Sequence, residues 1–207
     1  KKRTIRVKDT NNFLNNFAKF KREKSNAKIV AITGSAGKTS LKDMLYTLLK
    51  SFKNTFASPR SFNNHYGVPI SISNLTPSNK YGVFEVGMSK SGEIDNLSKI
   101  IRPNIAIITN IAEAHIENFK NLKGIASAKA EIIKNIEKNG AIILNRDDQF
   151  FDYLSKKART RNLKIISFGK SKKSDVCLLK IRSEKKQERV LVRVSGKKLS
   201  FKIKGLN

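Results

Sequence analysis

Lys28-Ile29-Val30-Ala31-Ile32-Thr33-Gly34-Ser35-Ala36-Gly37-Lys38-Thr39-Ser40 is the stretch on which the reading of this chain turns. Its first six residues are rich in β-branched side chains and predict a strand. The strand runs into a glycine-rich turn. Beyond it, Leu41, Met44, Leu45, Leu48, Leu49 and Phe52 recur at helical spacing, which predicts a helix with this stripe buried. In such a junction successive backbone N–H groups, backed by the helix N-terminus, cradle an anion. Lys38 would neutralise the β- and γ-phosphates of a nucleotide, and the Thr39 hydroxyl would ligate Mg²⁺. The usual Walker spacing has a glycine at position 32, where this chain has Ile32, so the loop is the shorter G-x-x-G-K-T form. An ordinary glycine turn capping a helix is the plain alternative. GKT placed between strand and helix speaks against it.

Outward from this junction the alternation repeats. Strands are expected at 81–86, 105–110, 141–145 and 164–168, with helices near 94–101, within 122–137 and near 150–158. Strands alternating with helices predict an α/β fold: a P-loop-type, mainly parallel sheet covered by helices on both faces. From about residue 175 the pattern changes to short alternating strands with charged turns, 176–181, 190–194 and 199–203. These predict a small antiparallel β extension at the C-terminal end. Residues 1–27 read as a short strand, a turn and a polar helix with Phe13, Leu14, Phe17 and Phe20 on one face.

Composition sets limits on function. Apolar residues make up 39% of 207 residues, enough for a real core. No apolar run approaches the ~20 residues of a membrane span, and no secretory signal opens the chain. A single cysteine, Cys177, allows no internal disulfide and fits a cytoplasmic location. The chain starts at Lys1, and its only methionines are Met44 and Met88, so a fragment or a trimmed product is expected. The formal charge of +27 raises nucleic-acid binding as a possibility. Lysine dominates, however, and lies along almost the whole length, without an RNA-binding aromatic signature or zinc-finger spacing. A lysine-rich proteome explains this better, and no nucleic-acid partner is expected.

Two further segments carry candidate chemistry. Glu85 ends the strand Val83-Phe84-Glu85-Val86-Gly87, at the strand edge where α/β sheets bind ligands and where a carboxylate could hold Mg²⁺. Alone, it reads equally well as a solvated strand-end residue. His115 follows the run Thr109-Asn110-Ile111-Ala112-Glu113-Ala114. Imidazole is a poor ligand for Mg²⁺, so by chemistry alone His115 reads as a loop histidine.

Taken together and in order, TGSAGKTS, SFNNHYGVP, FEVGMSKSGEI, TNIAEAHIENF, SAKAEII and NRDD resemble the central, ATP-binding domain of the Mur ligases. The resemblance runs from about Ile5 to Asn207. Within the family, the E-V-G-x4-G-E-I and AHIENF…AKAEI segments are most similar to the members that join D-alanyl-D-alanine to UDP-N-acetylmuramoyl-tripeptide. The resemblance implies that residues 1–27 are the tail of an N-terminal substrate domain with its linker. It makes 28–207 the central domain, with the antiparallel extension from about 175, and leaves the C-terminal domain outside this chain. It also assigns roles. Gly34, Ser35, Ala36, Gly37, Lys38, Thr39 and Ser40 would bind ATP. Thr39 and Glu85 match the positions that hold one Mg²⁺, and His115 matches a ligand of a second. Lys129 matches a lysine that is carbamylated in the superfamily, giving an anionic oxygen ligand; otherwise it reads as one more helical lysine. Asn63 and Asn64 match a loop near the phosphates and the substrate carboxylate, and Asn145 and Asp148 a strand-end segment near the nucleotide. All four also read as plain turn chemistry.

The implied reaction activates the tripeptide carboxylate as an acyl phosphate, which the D-alanyl-D-alanine amine then attacks. Lys38, His115 and Lys129 would carry the catalysis, with ATP, two Mg²⁺ and a carbamylated lysine, in a monomer. A MurE-like or folylpolyglutamate-synthase-like ligase remains an alternative. So does, from another class, a basic P-loop ATPase that binds nucleic acid.

Overall fold

The computed structural model describes residues 4–114, 116–184 and 187–204. Within these residues nine strands form one sheet: β1 (Lys28–Thr33), β2 (Thr55–Ala57), β3 (Tyr81–Glu85), β4 (Ile105–Ile108), β5 (Ala141–Asn145), β6 (Lys164–Gly169), β7 (Val176–Glu184), β8 (Gln187–Val194) and β9 (Lys197–Lys204). Among the described residues six α-helices accompany them: α1 (Thr10–Glu23), α2 (Lys38–Lys50), α3 (Gly67–Ser73), α4 (Glu93–Ile101), α5 (Leu122–Lys129) and α6 (Phe151–Arg159). The sheet order is β2-β3-β1-β4-β5-β6-β7-β8-β9. β2 through β7 pair in parallel, and β7-β8-β9 pair antiparallel, as the α/β reading expected. The chain leaves β1 for β2 and β3 on one side, then crosses to β4 on the other. That reversal puts a crevice beyond the C-terminal end of β1, where the glycine loop begins.

The core lies on both faces of the sheet. The larger cluster packs Ile29, Ala31, Phe84, Ala106 and Ile142 against helices that include α1, α3, α4, α5 and α6. On the opposite face, Val30, Ile32, Val83 and Ile107 meet Leu41, Leu45 and Leu49 of α2. The rest of the expected α2 stripe is not buried: Met44, Leu48 and Phe52 are exposed. The sheet patch under α2 is only a few residues wide, so one row of side chains covers it and the neighbouring row points outward.

The N-terminal segment departs furthest from its reading. Residues 4–9 form no strand, and Ile5 is exposed. α1 packs against α3 and α4. Its inner face is Ala18 and Arg22, while Phe13, Phe17 and Phe20 are exposed. Helical spacing identified a face correctly but could not say which way it turned. The buried Arg22 guanidinium donates from Nε to Ile101 O (2.6 Å), from Nη2 to Arg102 O (2.8 Å) and from Nη1 to Ser25 O (3.3 Å). It thereby satisfies carbonyls at the end of α4, where Arg102 turns left-handed with φ 46°. The helix expected within 122–137 tightens after Lys129 into a 3₁₀ stretch, Ala130–Asn135. β2 and α3 were not legible in advance. β2 has three residues, and α3 has seven with Pro69 in its first turn.

Among the described residues no helix is long and apolar enough to cross a membrane. Arg22→Ala is expected to lower stability by roughly 2–4 kcal/mol, because it strands carbonyls at the α4 terminus away from water. Urea unfolding followed by circular dichroism measures this. An unchanged midpoint would show that α4 does not depend on Arg22.

Candidate active site

The glycine loop is held from below by the segment after β4. Ser35 N donates to Asn110 O (3.1 Å) and Ala36 N to Asn110 Oδ1 (2.9 Å). Thr109 Oγ1 donates to Ala36 O (2.6 Å), and Ala112 N donates to Ser35 Oγ (2.9 Å). Thr109 sits so close that a Cβ on Gly34 would lie 1.8 Å from its hydroxyl oxygen, so only glycine fits there. Gly37 caps α2 in a left-handed conformation, φ 78°, with no side-chain cap and no acidic residue in the first turn. The positive end of α2 is therefore left for an external anion. Lys38 folds back across the loop, its Nζ 2.9 Å from Gly34 O. Ser40 lies in the exposed part of the first turn.

Glu85 is 1% exposed at the end of β3. Its Oε2 accepts from the Thr39 hydroxyl (2.8 Å) and its Oε1 from Asn63 Nδ2 (2.7 Å). Among the described residues both donors are neutral. A buried carboxylate held only by neutral donors is short of positive charge. Together with the Thr39 hydroxyl it offers hard oxygen ligands, a donor set that suits Mg²⁺. Asn63 is fixed in turn by Gly87 N, which donates to its carbonyl (2.8 Å). Asn64 accepts through Oδ1 from Tyr66 N (3.2 Å) and Gly67 N (2.9 Å), which starts α3.

Lys129 ends α5 and is 3% exposed. Burial, and then the nearby charge of Lys38, push its amine down to about 8. Lys38, Lys129, Asn63 and Asn64 line one cavity of about 420 Å³ with Gly34 and Ser35. Sequence reading missed the rest of its wall, chiefly His65, Met88, Ser89, Glu93, Asn96 and Leu97. Glu93 stood within a quoted motif, and its carboxylate accepts from Ser89 N (2.6 Å). Glu131, two residues beyond Lys129, accepts from Gly92 N (2.8 Å) and Asp95 N (3.0 Å) and so fastens the first turn of α4 to the Lys129 segment.

Two expectations sit apart. His115 lies outside the described residues. Asn145 and Asp148 do not line the cavity. Asp148 accepts from Ile111 N (2.7 Å) and Phe150 N (2.9 Å), bracing the segment that supports the glycine loop. Asn145 Oδ1 accepts from Asp147 N (3.0 Å) within the same turn.

A glycine loop at the start of α2, a buried carboxylate suited to a divalent cation and a buried lysine at a sheet switch point define a P-loop-type α/β domain, and comparison gives its family. The family model "Mur ligase middle domain" matches residues 32–206, and the chain belongs to the Mur ligase family. It is 41% identical over 180 residues to the UDP-N-acetylmuramoyl-tripeptide–D-alanyl-D-alanine ligase of Rickettsia prowazekii, covering 86% of this chain and 40% of that one. The crystal structure of MurF from Acinetobacter baumannii superposes with a TM-score of 0.88 at 31% identity, covering 96% of this chain and 43% of that one. MurF ligase from Thermotoga maritima in complex with ADP gives 0.88 at 29%, covering 99% and 47%. The chain thus spans about two fifths of the curated relative's length.

The lowered Lys129 value sets a pH dependence. Because the folded amine titrates near 8 and the ordinary amine at 10.5, the folded chain binds fewer protons between those values. The cost of burying Lys129, on the order of 3 kcal/mol, is full below pH 8 and fades as pH rises towards 10.5. Lys129→Met is therefore expected to stabilise the fold by roughly 1–3 kcal/mol at pH 7, with a smaller gain at pH 10. Equal gains at both pH values in urea unfolding would refute the charge argument.

Proposed function

We propose that this domain runs ATP-driven amide formation, joining D-alanyl-D-alanine to UDP-N-acetylmuramoyl-tripeptide in peptidoglycan precursor synthesis. The observation that carries the reading is the cavity in which Lys38, Lys129 and the Asn63–Asn64 loop face one another around the glycine loop. The tripeptide carboxylate takes the γ-phosphoryl group, ADP leaves, and the dipeptide amine displaces phosphate from the acyl carbon. Charge spreads over the phosphoryl oxygens in this transfer, so positive charge and positioning matter more than a protein nucleophile. Lys38 and the first turn of α2 supply that charge at the phosphates.

Thr39 and Glu85 would hold one Mg²⁺, which neutralises phosphate charge when bound. Lys129 in carbamylated form, with His115, would hold a second. The neutral amine needed to meet CO₂ is on the order of 10% of Lys129 at pH 7, against well under 0.1% for an ordinary lysine. Asn145 and Asp148 would serve the nucleotide indirectly, with Asp148 bracing through Ile111 the segment that supports the glycine loop. In this reading residues 1–27 close a substrate domain, 28–207 are the central domain, and the enzyme works as a cytoplasmic monomer. The relatives' shared activity favours this reading over a MurE-like or folate-ligase substrate.

Lys38→Ala is expected to weaken MgATP binding at least ~10-fold by calorimetry without shifting the unfolding midpoint, because Lys38 contributes charge and not packing. Unchanged affinity would overturn the nucleotide assignment. Supplied with ¹³C-bicarbonate, the protein carrying this domain is expected to show a carbamate carbon by NMR that Lys129→Arg abolishes. Its phosphate release should need both substrates together. Absence of the signal, with normal turnover by Lys129→Ala, would remove Lys129 from the mechanism.

A further inference from the structure

One buried cation takes no part in the cavity described above. Lys42, one turn beyond Lys38 on α2, is 2% exposed. Burying an ammonium is costly unless its charge is met, and an apolar side chain of the same length would cost less. The Lys42 Nζ donates to Arg60 O, in the loop 58–66 that joins β2 to α3. The Asp43 carboxylate lies 3.4 Å off and is itself largely exposed, so the carbonyl is the closer partner. The same loop carries Asn63 and Asn64, which line the cavity around the glycine loop. Both ends of the loop are held by other groups. Ser58 N donates to Val83 O (2.9 Å), and Ser58 Oγ accepts from Glu85 N (3.3 Å). At the far end Asn63 is fixed by Glu85 and Gly87, and a Cβ on Gly67 would lie 2.6 Å from Phe62 Cα. Between these ends, among the described residues, Lys42 makes the one hydrogen bond that reaches residues 59–61 from outside the loop.

We infer that Lys42 is a positioning residue: its ammonium clamps the Arg60 carbonyl and so holds Asn63 and Asn64 where they face the cavity. Two further observations support this. Arg60 stands in the left-handed region, φ 45°, a conformation that a residue with a side chain keeps only where its surroundings hold it. A second cavity of about 360 Å³ lies between α2, β2 and this stretch, with Lys42, Tyr46, Phe56 and Arg60 on its wall. Packing alone therefore does not fix the loop there, and a directed bond does. Helix α2 then serves the site twice, with its first turn at the phosphates and its second at the loop. What the loop serves, the tripeptide carboxylate, rests on the ligase reading; the clamp itself rests on the contacts of Lys42.

Amide hydrogen exchange on the protein carrying this domain, unmodified and as Lys42→Met and Lys42→Arg, tests the clamp. Methionine keeps an unbranched stem and drops the charge, so it should not lower the melting temperature. It is expected to speed exchange of the Phe62, Asn63 and Gly67 amides at least ~10-fold, while the amides of α2 and β3 keep their rates. Lys42→Arg keeps a donor on a long stem and should leave the loop slow. In steady-state ligation Lys42→Met should lower kcat/KM for the tripeptide at least ~10-fold and leave MgATP affinity within ~3-fold, because the glycine loop is untouched. A lysine that merely filled the core would shift the melting temperature and leave that ratio alone. Equal loop exchange in the two variants, loss of the whole fold in Lys42→Met, or an unchanged kcat/KM for the tripeptide would each overturn the proposal. If the exchange pattern holds but the unmodified protein ligates nothing, the ligase reading falls and the clamp on the loop stands.

Discussion

The buried carboxylate of Glu85 is the point on which the site depends. It ends β3, yet its two oxygens are held by Thr39 from the start of α2 and by Asn63 from the loop before α3. Three segments far apart in sequence are thus tied to one charge. Leaving a carboxylate in the interior with only neutral donors is costly. Across the cavity the complementary imbalance appears: the ammonium of Lys38 bonds a carbonyl, and Lys129 is buried near a like charge. Neither amine pairs with Glu85. Such a site is poised for a ligand that brings both kinds of missing charge, a divalent cation for the carboxylate and phosphates for the amines. An ion pair formed directly between Glu85 and Lys38 would be cheaper in the empty protein, but would have to be broken to admit the nucleotide.

The scarcity of acidic residues sharpens this picture. With 16 against 43 basic residues, carboxylates might be expected to sit in ion pairs. Several instead hold backbone N–H groups. Asp9 caps α1, Asp148 holds Ile111 and Phe150, Glu131 holds Gly92 and Asp95, and Asp175 holds Ser167. Asp147 takes Lys170 N and Ser171 N, and these bonds hold its carboxyl below the usual range. A fixed amide cannot leave its partner, whereas an exposed lysine can, so a carboxylate stabilises more when aimed at the main chain. The consequence is a surface of largely unneutralised cations over a backbone pinned by the few anions available. The net charge follows from composition alone, while that allocation braces the loops around the cavity.

Much of this was legible in the residues. Strand–GKT–helix fixed the phosphate loop because backbone geometry there is local and the glycine requirement is absolute: Gly34 has no room for a Cβ and Gly37 turns left-handed. The parallel strands were visible as continuous apolar runs, since both faces of the sheet are covered. Glu85, Lys129, Asn63 and Asn64 were ambiguous one by one and became specific only through the order of the motifs. What sequence could not give is direction. Phe13, Phe17 and Phe20 are as periodic as any core stripe and yet face outward, because Ala18 and Arg22 fill the narrow space against α3 and α4. The bracing roles of Asn110 and Asp148 were equally invisible, because they rest on contacts between residues 37 to 74 positions apart.

The tightening of the chain after Lys129 joins these strands of argument. Side chains two residues apart on a helical turn point to opposite sides. At the junction between α5 and the 3₁₀ stretch, this sends Lys129 into the cavity and Glu131 towards the start of α4. One short segment therefore presents the low-pKa amine and anchors the wall that carries Glu93, Asn96 and Leu97. Any motion that shifts α4 to admit a substrate must act on Glu131, and through two peptide units on Lys129. Three residues thus join the wall of the cavity formed by α4 to the side that carries the glycine loop.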